Sequence, residues 1–251
     1  MNTRGRFLEP NPRLLEPNTK HMREIFAIGE YYHIYNRGVD KRIIFQTGSD
    51  FERFYESMFL FNDNNFRWQE SIGPERDTNL ATSNRSHSDR DCLVSIASFI
   101  LMPNHYHFLL RPLHENGIAR FMHKLNMGYT NYFNKKYDRS GSLLEGPYKA
   151  VHIEHAAYFE HILRYIHLNA LDVSHPAWRD GEIEDWMLAK EKLDRYPYSS
   201  HHVYDGREQR YEVVNRDEVM QFFSGIEDYR NYLKAWAGRN SLPCQMPDSN
   251  T

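Results

Sequence analysis

Chemistry in this chain concentrates in two short stretches. The first is Pro103-Asn104-His105-Tyr106-His107-Phe108-Leu109-Leu110. Alternate residues of a strand share a face, so His105 and His107 point the same way, about 7 Å apart along the chain. Two imidazoles so placed can converge on one cation; equally, they can be two polar residues on a solvated face. The second is His161-Ile162-Leu163-Arg164-Tyr165-Ile166-His167-Leu168-Asn169. On a helix, residues four apart are neighbours, which sets Tyr165 beside Asn169 with His161 one turn earlier. An amide oxygen is a good ligand for a hard cation. A phenolic oxygen is a nucleophile once deprotonated. Alternatively, Tyr165 is a core aromatic with its hydroxyl satisfied at the surface.

Together these groups suit transfer at a phosphodiester. That reaction needs an in-line nucleophile, neutralisation of the non-bridging oxygens and help for the leaving oxygen. Only neutral imidazole binds a metal, so an activity built this way is expected to fall below about pH 6.

The elements that must position these groups follow from periodicity. YYHIYN from Tyr31, closed by Arg37-Gly38, is a strand and turn. Ser49 or Asp50 caps a helix whose apolar positions are Phe51, Phe54, Tyr55, Met58 and Phe59. CLVSIASFILM and HYHFLLRP, joined at Pro103-Asn104, form a hairpin. Residues 117–137 are a helix, YKAVHIE a fourth strand, and 155–171 a second long helix. The order β-α-β-β-α-β is that of an α+β, ferredoxin-like (split βαβ) antiparallel sheet with helices on one face. A C-terminal helical extension follows.

Four regions result. Residues 1–28 are expected to be a loosely ordered arm and 29–171 the catalytic domain, with a polar insertion at 62–91. Residues 172–239 form an acidic extension, and 240–251 a loose tail.

Composition narrows the classes. Of the 251 residues, 40% are hydrophobic and 14% aromatic, which is enough for a core and excludes wholesale disorder. No apolar run is long enough to span a membrane, and the first twenty residues lack a signal-peptide core. Cys92 and Cys244 give neither a zinc spacing nor a disulfide framework, so a reducing cytoplasm is the expected setting. A net charge of −3 excludes a wholly basic nucleic-acid binder but allows a basic face. Residues 117–150 carry a net +4 through Arg120, Lys124, Lys135, Lys136, Arg139 and Lys149, against −5 in the last 81 residues. Arg37, Lys41 and Arg42 follow the first strand. Tyr129, Tyr132, Tyr137 and Tyr148 are interleaved with these cations and could stack unpaired bases, although Tyr129 and Tyr132 suit a core better.

PNHYHFLL, RYIHLNAL and the opening YHIYNRG together resemble the IS200-type transposases of the HUH single-strand endonuclease superfamily, which use a single tyrosine. The long extension with its YPYSS segment is similar to the branch associated with repetitive extragenic palindromes. The resemblance implies that His105 and His107 hold a Mg²⁺ or Mn²⁺ ion, with Asn169 as third ligand. His161 or His167 are the alternatives. It implies that Tyr165 attacks phosphorus to leave a 5′-phosphotyrosine and a free 3′-OH. It implies single-stranded or hairpin DNA as partner, and a monomer in preference to a homodimer. Two other classes compete: a non-catalytic hairpin binder on the same scaffold, and an RNA-binding ferredoxin-like sheet. The second lacks the exposed strand aromatics that such sheets use.

Overall fold

The computed structural model describes residues 26–66, 90–172, 174 and 176–236. Most of the N-terminal arm, most of the 62–91 insertion and the C-terminal tail lie outside the described residues. Four strands, β1 (Tyr31–Arg37), β2 (Val94–Met102), β3 (His105–Pro112) and β4 (Lys149–Ile153), form one sheet in the order β2-β3-β1-β4. Every neighbouring pair is antiparallel. With α1 (Gly48–Phe61) between β1 and β2, and α2 (Gly117–Lys136) between β3 and β4, this is the expected split βαβ arrangement. Thr47, not Ser49 or Asp50, caps α1; Asp50 sits in its first turn and accepts from the Gln46 and Thr47 backbone amides at 2.9 Å each.

Alternation divides the sheet into two unlike faces. Tyr106 and Phe108 point one way and meet α1 and α2: Phe54 lies 5.3 Å from Tyr106, and Phe108 lies 6.3 Å from Phe121, ring centre to ring centre. Directly opposed residues share a face. The pairs Tyr35 with His107 and Arg37 with His105 therefore bring β1 and β3 polar groups together on the other face. The two crossover helices share one face, as expected. The opposite face is also covered, by α3 (Ala156–Leu168) and the chain after it. α3 buries Phe159, Ile162, Leu163, Tyr165 and Ile166 against the sheet and its neighbours.

The C-terminal part adds α4 (Trp186–Arg195), α5 (His201–Tyr204), α6 (Arg216–Met220) and α7 (Ile226–Lys234). Its YPYSS segment runs along the free edge of β2. There Leu101 N donates to Tyr198 O (2.9 Å) and Ser200 N to Phe99 O (3.0 Å). This satisfies an edge that would otherwise offer its backbone groups to other chains. β2 is consequently buried along its whole length. Among the described residues, no helix is long and apolar enough to cross a membrane.

Candidate active site

The hairpin turn at Pro103-Asn104 fixes the first histidine. Its backbone is pinned by the loop after β1: Gly38 N donates to Asn104 O (2.8 Å), and Ile44 N to Pro103 O (2.8 Å). The loop itself folds so tightly that a Cβ on Gly38 would meet the Arg42 carbonyl oxygen at 2.3 Å, which requires glycine there. The Asn104 side chain donates through Nδ2 to Lys41 O (3.4 Å), turning Oδ1 toward Nδ1 of His105 at 2.7 Å. An amide oxygen cannot donate, so His105 carries its proton on Nδ1 and its lone pair on Nε2.

His107 is buried two residues on, its ring centre 5.1 Å from that of His105. Its Nδ1 lies 3.0 Å from Nε2 of His33 on β1. With His107 donating in this bond, its lone pair too falls on Nε2. Nε2 of both His105 and His107 is buried and has no protein partner. Two lone pairs left in this way are what a metal ion needs, and the outer bonds from Asn104 and His33 are of the kind that orient metal-binding imidazoles. Burial pushes His105 down to about 4 and His107 well below the ordinary histidine range. Both are therefore neutral, ligand-competent bases at physiological pH.

α3 brings Tyr165 to the same place. Its ring lies edge-on to His107, 5.5 Å between centres, and 6.2 Å from His33. Asn169 is not inside the helix as the spacing alone suggested: α3 ends at Leu168, and Asn169 caps it and opens a short 3₁₀ turn. The two remain neighbours, since Asn169 Nδ2 donates to the Tyr165 carbonyl at 2.7 Å. Oδ1 of Asn169 accepts from Arg179 (3.1 Å). Neither alternative third ligand lines the cleft beside His105 and His107, and Asn169 meets it only through Arg179. His167 is fully buried toward β2 and the C-terminal helices, where Ser98, Ser200 and Tyr229 bond both its ring nitrogens. His161 packs against Tyr158 and Trp236.

His105 and His107 face a cleft of about 390 Å³. Arg37, Lys41 and Lys149 line its basic side, where Arg37 pairs with Glu145, and Asp172 and Arg179 are also on its walls. The remaining cations proposed from the sequence lie elsewhere. Arg120 and Lys124 bond Asn64 and the Asp63 carbonyl, Lys136 the buried Asp50 (2.6 Å), Arg139 Asn134 (3.0 Å) and Arg42 the Val39 carbonyl (3.1 Å). Lys135 is exposed at the end of α2. Tyr129 is fully buried and donates to the Ile44 carbonyl, while Tyr132 and Tyr137 donate to Asp50, so these rings are not free stacking platforms.

Sequence reasoning missed Asn104 and His33 as supports and Asp172 and Arg179 as cleft residues. Asn104 was within sight, adjoining His105. His33 becomes visible only through the strand register, and Arg179 only through the path of the chain after α3.

A second group of possible ligands exists in the C-terminal part. One ligand atom each of Asp194, His201 and Asp205 lies within 4.8 Å of the others. Lys190 (2.5 Å) and Arg230 (2.7 Å) already neutralise the two carboxylates.

No curated protein sequence matches the chain. Among solved structures, a REP-associated tyrosine transposase bound to a REP hairpin is similar over 74% of this chain and 86% of that one, at 12% identity and a TM-score of 0.47. The family model described as "Transposase IS200 like" matches residues 81–169. The match takes in the hairpin with both histidines and the whole of α3, and it ends on Asn169; β1 and the chain from residue 170 onward fall outside it. Over residues 81–169 the chain is therefore similar in sequence to the IS200-like transposases.

Proposed function

We propose that this protein is a metal-dependent strand transferase that nicks and rejoins single-stranded or hairpin DNA through a tyrosine link. One observation carries the reading: His105 and His107, whose buried Nε2 atoms have no protein partner, line a cleft with Arg37, Lys41, Lys149 and Arg179, and His107 packs on the Tyr165 ring. His105 and His107 would hold Mg²⁺ or Mn²⁺, with Asn169 adding an amide oxygen whose second lone pair remains after the bond from Arg179. Such an ion would draw charge from the scissile phosphate.

The phenolic oxygen of Tyr165 forms a bond to phosphorus as the bond from phosphorus to the 3′ oxygen breaks. The phenolic proton passes to solvent and the 3′ oxygen takes one up. Attack by another 3′-OH on the phosphotyrosine reverses the step and joins a new end with no other energy source. Arg37, Lys41 and Lys149 hold neighbouring phosphates. Tyr165 packs on His107 of its own chain, which supports a site completed within one monomer.

The test uses hairpin oligonucleotides labelled at the 5′ or the 3′ end, with Mn²⁺, on a denaturing protein gel. A covalent band is expected with wild type, and none with Tyr165→Phe or His105→Ala. Cleavage retained in Tyr165→Phe overturns the nucleophile. Tight binding with no band moves the protein to the non-catalytic binder. Mixing Tyr165→Phe with His105→Ala separates the assemblies: a restored band means that two chains exchange their tyrosine helices, and its absence supports the monomer.

A further inference from the structure

Arg179 belongs to a short 3₁₀ helix, Pro176–Asp180, beyond the segment that matches the family. Its guanidinium donates through Nη1 to the phenolic oxygen of Tyr165 (3.1 Å). Through Nη2 it donates to Oδ1 of Asn169 (3.1 Å) and to Oδ2 of Asp172 (2.6 Å). The group lies 5.3 Å from the Tyr165 ring centre and 4.9 Å from that of Trp178. Trp178 is fully buried and donates through Nε1 to the other oxygen of Asp172 (2.7 Å). Near the end of the described chain, Trp236 Nε1 donates to the Trp178 carbonyl (2.5 Å). Arg179 is thus fixed by a buried indole and by a carboxylate, with Trp236 just beyond α7 holding its segment, while its side chain stays about a third exposed (34%) and faces the cleft.

The geometry points to Arg179 as a catalytic residue that orients the Tyr165 phenol and stabilises the charge developing on its oxygen. This rests on Tyr165 being the nucleophile. A surface ion pair with Asp172 would occupy one edge of the guanidinium. Here the fork spans three acceptors, and two of them are the nucleophile and the candidate third ligand. A planar group with five donors can do this, and a lysine ammonium cannot reproduce it. Arginine stays protonated, so it takes no proton from the phenol; that proton still passes to solvent. The bond from Nη1 is already charge-assisted by the guanidinium, and it strengthens further as the phenolic oxygen gains negative charge and both partners become ionic. A contact that strengthens toward the transition state raises the rate and not merely the affinity.

The experiment measures single-turnover formation of the covalent adduct at saturating Mn²⁺ and hairpin oligonucleotide. Arg179→Ala is expected to fall by about 10²–10³-fold, the usual loss for one transition-state donor. Arg179→Lys should recover only part of the rate. Millimolar guanidinium ion should restore rate to Arg179→Ala and none to Tyr165→Phe. Asp172→Asn, which keeps an acceptor for Trp178 but weakens the anchor, should lose less and gain nothing from guanidinium. An Arg179→Ala rate within about threefold of wild type overturns the inference. So does a loss that guanidinium leaves untouched and that Asp172→Asn matches, since that pattern is structural. Absence of any adduct in wild type removes the underlying reading; an adduct in wild type that Arg179→Ala forms equally well removes this inference alone.

Discussion

Two buried histidine clusters sit on either side of α3, and they differ in one respect. At the cleft, His33, His105 and His107 form a chain that ends in two imidazole nitrogens with no protein partner. Behind the helix, His167 and His201 are as deeply buried, but every ring nitrogen is taken. His167 meets Ser98, Ser200 and Tyr229, and His201 meets Tyr229 and Asp194. Burial alone therefore does not mark a functional histidine. The second cluster is a polar rivet that fastens the C-terminal helices to β2 and α3. The first leaves desolvated lone pairs, at a cost that the fold recovers only when something binds.

Acid is the bluntest way to break the comparison, because both clusters must stay neutral. Burial pushes His33 down to about 3, and His105 and His201 to about 4. Below about pH 6.5 the unfolded chain takes up protons at these rings and the folded chain does not. The unfolded state then binds more protons, so stability falls as pH drops from about 6.5 toward 4, and these groups add no further loss below their folded values. At pH 5 each costs about 2 kcal/mol relative to neutral pH. Urea melts at pH 7 and pH 5 should show a large drop. Saturating Mn²⁺ should recover part of it, since the ion binds the folded, neutral site. Equal stability at the two pH values would mean that the rings are hydrated.

Substitution separates the clusters more sharply. His107→Ala should lose Mn²⁺ uptake by calorimetry and slow adduct formation by about 10³-fold, the scale of a lost electrostatic stabiliser. Its effect on unfolding should be the smaller one. His167→Leu should do the reverse. It takes one partner each from the hydroxyls of Ser98, Ser200 and Tyr229, which keep each other, the Phe99 backbone and His201, so stability should fall by about 1–2 kcal/mol with Mn²⁺ affinity unchanged. If His167→Leu lost the ion and His107→Ala kept it, the assignment of the two clusters would be inverted.

The same contrast explains what could be read from sequence. The strands, the helices and the His105–His107 pair follow from periodicity within single elements, and the split βαβ order follows from their succession. What stayed hidden depends on the meeting of distant elements. His33 joins His107 because β1 pairs with β3 in a register that sets His33 opposite Leu109, diagonal to His107. Arg179 reaches Tyr165 because a buried tryptophan turns the chain back over the cleft after α3. His167, six residues beyond His161 on a stretch that resembles a metal helix, looks like a ligand until the C-terminal helices are seen to bond it. Charge counts were the least informative guide. The net +4 over residues 117–150 is real, but Lys136 and Lys124 are spent on local partners.

That last point yields the finest test, a comparison of two lysines with equal formal charge. Lys149 lies on the cleft, exposed, its ammonium 5.8 Å from the Tyr35 ring centre. Lys136 bonds Asp50, whose side chain is fully buried. Lys149→Ala should weaken hairpin binding a few-fold and reduce the slope of log K against log salt by about 1, with the melting curve unmoved. Lys136→Ala should leave the salt slope alone and lower stability by about 1–2 kcal/mol. That is less than a fully buried pair would lose, because Asp50 keeps the hydroxyls of Tyr132 and Tyr137 and the backbone amides of Gln46 and Thr47. Fluorescence anisotropy across a salt series, paired with urea melts of both variants, reads the two effects separately. Equal salt slopes for the two variants would extend the DNA-binding face from the cleft onto the end of α2.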